Sequence, residues 1–318
     1  MAGIWVFAEN EDLTRELLSA GKDLAGELGQ KVKAFALGGD SAKNCIHCGA
    51  DEVFILPPLA PDQPLEAYVP VLADAAKQFD PDVFLIGATA RCKEIAARLA
   101  AKLETGLCSG CTRLDFDQDK KTLLMERMAF GGAAIQTVCC ATRPQMATVP
   151  PRTFERAEPD TSRQGTITEL TATPQSPVKV IGRSPKKRDV ADVTEAKVIV
   201  CIGRGVEKTE DLALARDLAK VLGGEVGCTR PIAEELQWLP EDVYLGISGK
   251  KVKPALYIGL GVSGQIQHVT GIRDSKVIFA INRDENAPIF EAADYGIIGD
   301  LYQVVPKFIE ELRAALKA

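Results

Sequence analysis

Short apolar runs alternate with amphipathic stretches along almost the whole chain, and this alternation constrains the fold more than any other feature. Residues 3–9, 32–38, 52–56 and 83–89 are short, rich in Val, Ile and Phe, and read as buried strands. Between them the period changes. Leu13, Leu17, Leu18, Leu24 and Leu28 fall near one helical face, and Ile95, Ala96, Leu99 and Leu103 do so again. Asp80-Pro81-Asp82 punctuates the third helix before its following strand. Strand–helix–strand order predicts a mostly parallel sheet, in the strand order 3-2-1-4-5, with helices on both faces. From about residue 107 to 149 the helical period disappears, and an antiparallel addition to this first sheet is expected there.

Residues 157–192 change character, with Pro159, Thr161, Ser162, Thr171, Thr173, Pro174, Ser176 and Pro177 marking a connection. A short strand is expected at 178–181. The basic run Lys186-Lys187-Arg188 is read as a solvated linker, and the boundary is placed near residue 187. This predicts an N-terminal α/β domain over 1–186 and a second over 187–318. The second has expected strands at 197–203, 243–247, 255–260 and 277–281, a helix at 212–222, and a closing amphipathic helix at 304–316. It should form a doubly wound sheet, so its loops at strand ends are where a ligand is expected.

Length and composition set the limits. The chain has 318 residues, enough for two domains at roughly 100–200 residues each. Hydrophobic residues make up 46% and charged residues 26%, as in ordinary folded domains. With 38 Lys+Arg against 44 Asp+Glu the net charge is −6, so no cationic face for nucleic acid is expected. No run of 18 or more apolar residues predicts a membrane span. The opening Met1-Ala2-Gly3-Ile4-Trp5 shows no secretory or transit pattern, and nine cysteines suit a reducing compartment, so a cytoplasmic setting is expected.

The first strand-to-helix turn, Ala8-Glu9-Asn10-Glu11-Asp12, is acidic and lacks glycine. Its carboxylates would repel a pyrophosphate, so no nucleotide is expected there. The second half carries three glycine turns. Gly259-Leu260-Gly261-Val262-Ser263-Gly264 is a G-x-G-x-x-G stretch following an expected strand, with Asp284 twenty residues beyond its last glycine. Gly203-Arg204-Gly205 and Gly246-Ile247-Ser248-Gly249-Lys250 are the others. Glycine lets backbone N–H groups approach phosphate oxygens. Taken alone, these turns leave a NAD-dependent dehydrogenase open, although no acid/base pair or substrate pocket accompanies them.

The residues that complete and follow the G-x-G-x-x-G turn point elsewhere. Ser263-Gly264-Gln265-Ile266-Gln267-His268-Val269-Thr270-Gly271, preceded by Leu256-Tyr257-Ile258 and followed by residues 274–282, resembles the alpha subunit of electron-transfer flavoprotein. Residues 287–290 and 293–301 are similar to that family's closing motif. Ala129-Phe130-Gly131-Gly132 and Arg143-Pro144-Gln145-Met146-Ala147-Thr148 extend the resemblance to the N-terminal half.

The resemblance implies an alpha chain that binds FAD in its C-terminal domain and packs its N-terminal domain against a beta subunit. Such a carrier passes single electrons from flavin dehydrogenases, such as the acyl-CoA dehydrogenases of fatty acid beta-oxidation, to a quinone reductase. Residue by residue, Arg204 is expected to approach the FAD, with Thr229 and Arg230 flanking its isoalloxazine. Leu245, Gly246, Ile247 and Ser248, with Ser263, Gly264, Gln265, Ile266, Gln267 and His268, should wrap the ring and pyrophosphate. Asn282, Asp300 and Leu301 should hold the adenosine end. His268 is expected to supply a cation or donor near flavin N1 and C2=O, Arg230 a positive charge on the N5/C4 side, and Ser248 a hydrogen bond to N5. No residue is required as a nucleophile. The chain departs from the family pattern at four positions: Thr229 (often Ser), Ser248 (often Thr), Gln265 (commonly Ala) and Ile247 (usually Gln). A bifurcating complex of the same family, with a second FAD and an NADH site on its beta subunit, is the alternative.

Other features have plainer readings. His47 is expected to be structural. The pairs Cys45/Cys48 and Cys108/Cys111 have the spacing of metal ligands but should lie on opposite flanks of the first sheet, so no shared metal is expected. Trp5 and Trp238 are read as core or interface fillers, and Lys250, Lys251 and Lys253 as solvated.

Overall fold

The computed structural model describes residues 3–117, 119, 121–184 and 192–316. The chain divides into two units, Met1–Pro185 and Lys186–Ala318. The expected boundary near residue 187, and the basic run beside it, lie outside the described residues.

The first unit runs β1 (Ile4–Phe7), α1 (Glu11–Leu28), β2 (Val32–Ala36), α2 (Gly39–His47), β3 (Glu52–Ile55), α3 (Val69–Phe79), β4 (Val83–Gly87), α4 (Ala90–Lys102), β5 (Leu107–Cys108), β6 (Cys111–Asp117), β7 (Thr122–Ala129), β8 (Ala134–Val138), β9 (Gln145–Val149) and β10 (Thr166–Glu169). Its large sheet is ordered β10-β3-β2-β1-β4-β9-β5 and is parallel throughout. Side chains alternate across a strand, so β1 serves two cores. Ile4 and Val6 pack with Leu13 and Leu17 of α1. Trp5 and Phe7 face the other way, among Leu72 of α3 and Leu99 of α4. Helix α1 begins where the Asn10 side chain accepts the Leu13 N–H, and ends at Gly29 in the left-handed region.

Residues 107–149 split between two sheets. Strands β6, β7 and β8 form a separate antiparallel sheet, whereas β5 and β9 join the large sheet in parallel. The place beside β4 therefore belongs to β9, not to the fifth strand in the chain. No strand forms at 178–181. Val178 and Ile181 are exposed, and the Val180 N–H reaches Asp62 O in isolation. The strand of that region is β10, which pairs with the edge of β3.

The second unit runs β11 (Val198–Ile202), α5 (Leu212–Leu222), β12 (Glu225–Cys228), β13 (Leu256–Leu260), α6 (Ile266–Ile272), β14 (Ile278–Asn282), α7 (Ile289–Ala292), β15 (Tyr295–Ile298) and α8 (Leu301–Ala315). Its parallel sheet is ordered β12-β11-β13-β14-β15. The order reverses between β11 and β13, the crevice where such sheets take ligands. The expected strand at 243–247 is not one. Glu241–Val243 is a single tight turn, and Tyr244 and Leu245 make only isolated bridges. Gly246 N–H bonds back to Lys250 O, which turns the chain before a ladder can extend.

Candidate functional site

Two of the glycine turns meet at the β11/β13 crevice. Gly203-Arg204-Gly205 leaves β11, and Gly261 leaves β13 with φ of 60°. A side-chain carbon on Gly205 would sit 2.6 Å from Gly261 Cα, and the Gly205 N–H donates to Gly261 O at 3.0 Å. Only glycine at both positions allows this approach. Gly264 adopts φ of 83° directly against the Ile289 backbone, and Ser263 O accepts the Ile289 N–H at 3.0 Å.

Around this contact lies a cavity of about 250 Å³, lined by Gly205, Gly261, Asn282, Asp300 and Leu301, with Glu207, Arg283 and Tyr302 at its wall. Asn282 donates its side-chain amide to Val262 O at 2.8 Å, which ties the end of β14 to the turn after β13. Asp300 caps α8 by accepting the Tyr302 N–H at 2.9 Å. The structure thus brings Asn282, Asp300 and Leu301 together with two glycine turns. Asp284 does not line this cavity; its side chain accepts the Asn286 N–H within its own loop.

A second group forms toward β12, between the end of that strand and α6. The Ile247 N–H donates to Gln267 O at 2.8 Å, and the Leu245 N–H donates to Cys228 O at 2.9 Å. Residues 245–248 therefore lie between α6 and the end of β12, where Thr229 and Arg230 follow. A side-chain carbon on Gly271 would sit 2.5 Å from Gly246 N, so this loop also rests on a glycine contact. Ile247, Ser248, Gln265, Ile266 and Gln267 are exposed along it. Ser248 Oγ is 3.1 Å from Tyr244 Oη. Arg230 is exposed and held by Glu234 through Nε at 2.6 Å, a partner that raises its already high pKa further. Arg204 is exposed in the loop after β11. The third glycine turn does not follow a strand, which corrects the expectation from the apolar run before it.

His268 is buried beneath this loop and is not a cation. Its Nδ1 is 3.0 Å from Leu245 O, which can only accept, so Nδ1 carries the hydrogen. Its Nε2 then accepts from Tyr257 Oη at 2.8 Å. Burial lowers its pKa to about 4. Of the cation or donor expected of His268, burial disfavours the cation, and both ring nitrogens are engaged within the protein, where the neutral imidazole ties loop, strand and helix together.

In the first unit Asn10 occupies the N-terminus of α1 with its own side chain, and Glu9 and Glu11 line the adjacent cavity. Cys45 lies on α2, which packs on β2 and β3, with Cys48 as its C-cap; Cys108 lies at the far edge on β5. Among the described residues no cluster of His, Cys, Asp or Glu could hold a metal ion, and no helix is long and apolar enough to cross a membrane. Sequence reasoning missed Glu207, Arg283 and Tyr302; the only signal was their adjacency to Gly205, Asn282 and Leu301.

Residues 4–175 match the electron transfer flavoprotein domain, and residues 192–273 match the electron transfer flavoprotein FAD-binding domain. Protein FixB of Clostridium saccharobutylicum is 40% identical, over 99% of this chain and 98% of its own length. Electron transfer flavoprotein subunit alpha of Clostridium acetobutylicum is 39% identical, over 98% and 97%. Protein FixB of Escherichia coli O139:H28 is 36% identical, over 97% of each. The second unit binds FAD. The chain belongs to the electron transfer flavoprotein family, on the side of its alpha subunits.

Proposed function

We propose that this chain pairs with a beta subunit and carries electrons from flavin dehydrogenases, such as acyl-CoA dehydrogenases of fatty acid beta-oxidation, to a quinone reductase or other acceptor, in a cytoplasmic setting. The observation that carries this reading is the Gly205–Gly261 contact, which opens a cleft of about 250 Å³ at the β11/β13 crevice. FAD suits this lining. The cradle is one that a Cβ would fill, and Asn282 and Asp300 offer polar groups at its edge. FAD supplies the electron-storing chemistry; the chain binds, orients and biases it electrostatically.

In this reading Asn282, Asp300 and Leu301 hold the adenosine end. Ser263, Gly264, Gln265, Ile266 and Gln267 pass along the pyrophosphate and ring, and Leu245, Gly246, Ile247 and Ser248 form the opposing edge. Thr229 and Arg230 flank the ring, and Arg204 approaches from the loop after β11. Exposed Ile247 and Ile266, on segments joined by the Ile247 N–H bond to Gln267 O, give the ring an apolar bed. Arg230 and Arg204 supply fixed positive charge that favours reduced, negative flavin. His268 acts from beneath, as a neutral strut that fixes Leu245.

The test is co-expression with a beta chain, a count of flavin and AMP in the complex, and mixing with a reduced acyl-CoA dehydrogenase. One FAD with AMP, and rapid reduction by that dehydrogenase, supports the proposal. Two FAD per dimer and reduction by NADH would replace it with the bifurcating alternative.

A further inference from the structure

The loop between β11 and α5 forms one wall of the cleft and carries Arg204, Gly205 and Glu207. Besides the glycine contact, the Tyr302 side chain fastens it at two points. Tyr302, in the first turn of α8, accepts the Glu207 N–H at 2.9 Å and donates its hydroxyl hydrogen to Asp211 Oδ2 at 2.6 Å. These partners are 95 and 91 residues away in sequence, so the hydroxyl joins the two ends of the unit across the mouth of the cleft. Asp211 stands at the N-cap of α5 yet makes no side-chain cap bond; its carboxylate is turned to Tyr302 instead. The ring itself packs on the apolar core of the unit. Arg283, from the end of β14, adds a loose 3.8 Å pairing to Glu207 on the same wall. A hydrogen bond to a charged acceptor is the stronger kind, and here the one hydroxyl also satisfies a backbone donor.

We propose that Tyr302 is a positioning residue for the adenosine half of FAD: its hydroxyl clamps residues 205–211 over the cleft and so sets how tightly that half is held. The inference rests on reading the cleft as the adenosine end. The clamp acts on the wall and not on the ring-facing loop at 245–248, so its effect is confined to ligands that carry adenosine.

The experiment uses the full-length chain stripped of flavin, titrated with FAD, FMN and ADP. Tyr302→Phe keeps the ring and its packing and removes both hydrogen bonds. We expect FAD and ADP to bind roughly tenfold more weakly, the loss of about one charged hydrogen bond, with FMN unchanged. Asp211→Asn keeps an oxygen for the hydroxyl to donate to, and stays within about threefold of the unmodified chain. An unchanged FAD affinity in Tyr302→Phe overturns the clamp. So does an equal loss for FMN, which marks general loosening, or a loss in Asp211→Asn as large as in Tyr302→Phe. ADP that fails to displace FAD from the unmodified chain overturns the reading of the cleft itself, and the clamp with it.

Discussion

Tyr257 Oη lies 2.8 Å from His268 Nε2 in the interior of the second unit, where both residues are buried. The pair decides the state of the imidazole. With Leu245 O taking the Nδ1 hydrogen and Tyr257 donating to Nε2, a second ring proton would reverse the Tyr257 hydrogen bond and put a charge in the core.

That arrangement makes stability depend on pH with a definite sign. His268 has a pKa of about 4 in the folded chain against an ordinary 6.5. Between these values the unfolded chain binds a proton that the folded one excludes. The contribution is complete above pH 6.5 and is lost as pH falls toward 4, reaching about 3 kcal/mol. Urea midpoints of the chain and of His268→Gln, measured from pH 7 to 4.5, check this. The substitution should flatten the acid limb; equal slopes would contradict a neutral, buried imidazole.

Gly261→Ala tests the glycine contact. The new carbon would lie 2.6 Å from Gly205 Cα, on a residue with φ of 60°. We expect a cost of about 2–4 kcal/mol and loss of most bound flavin. The flavin-to-protein absorbance ratio of the purified chain reads this directly.

Arg230 and Glu234 separate electrostatics from stability. The pair is exposed and so contributes little to folding. Arg230→Ala should lower the flavin midpoint potential by some tens of millivolts, and Glu234→Gln should raise it by a smaller amount, with thermal midpoints almost unchanged. Potentiometric titration of each variant measures the shifts.

All nine cysteines are free thiols. Cys139 is exposed, whereas Cys201 is buried with its pKa pushed up, and burial raises Cys228 to about 12. A thiol reagent should therefore modify Cys139 first in the native chain and reach all nine only in denaturant. A smaller total in denaturant without reductant would reveal a disulfide.

The strands that face helices on both sides were legible because burial on two faces leaves an unbroken apolar run, as in Ile4–Phe7 and Val83–Gly87. Strand β15 was missed for the opposite reason. It is a sheet edge whose residues are mostly exposed, so no apolar run marks it. The run before Gly246 misled because apolar residues also fill the core beneath a turn. The site motif was legible as residues, but its wiring was not. Leu245 lies 23 positions from His268, and the two partners of Tyr302 lie more than 90 positions away. Only the folded chain brings such partners together, and with them it shows His268 neutral and Tyr302 at the cleft.

The most direct test is the FAD content of the full-length chain, released by heat and counted against protein. We expect one FAD per chain, held at the cleft between β11 and β13 and lost on Gly261→Ala. A well-folded chain that carries no flavin and binds none when FAD is added would contradict the central claim.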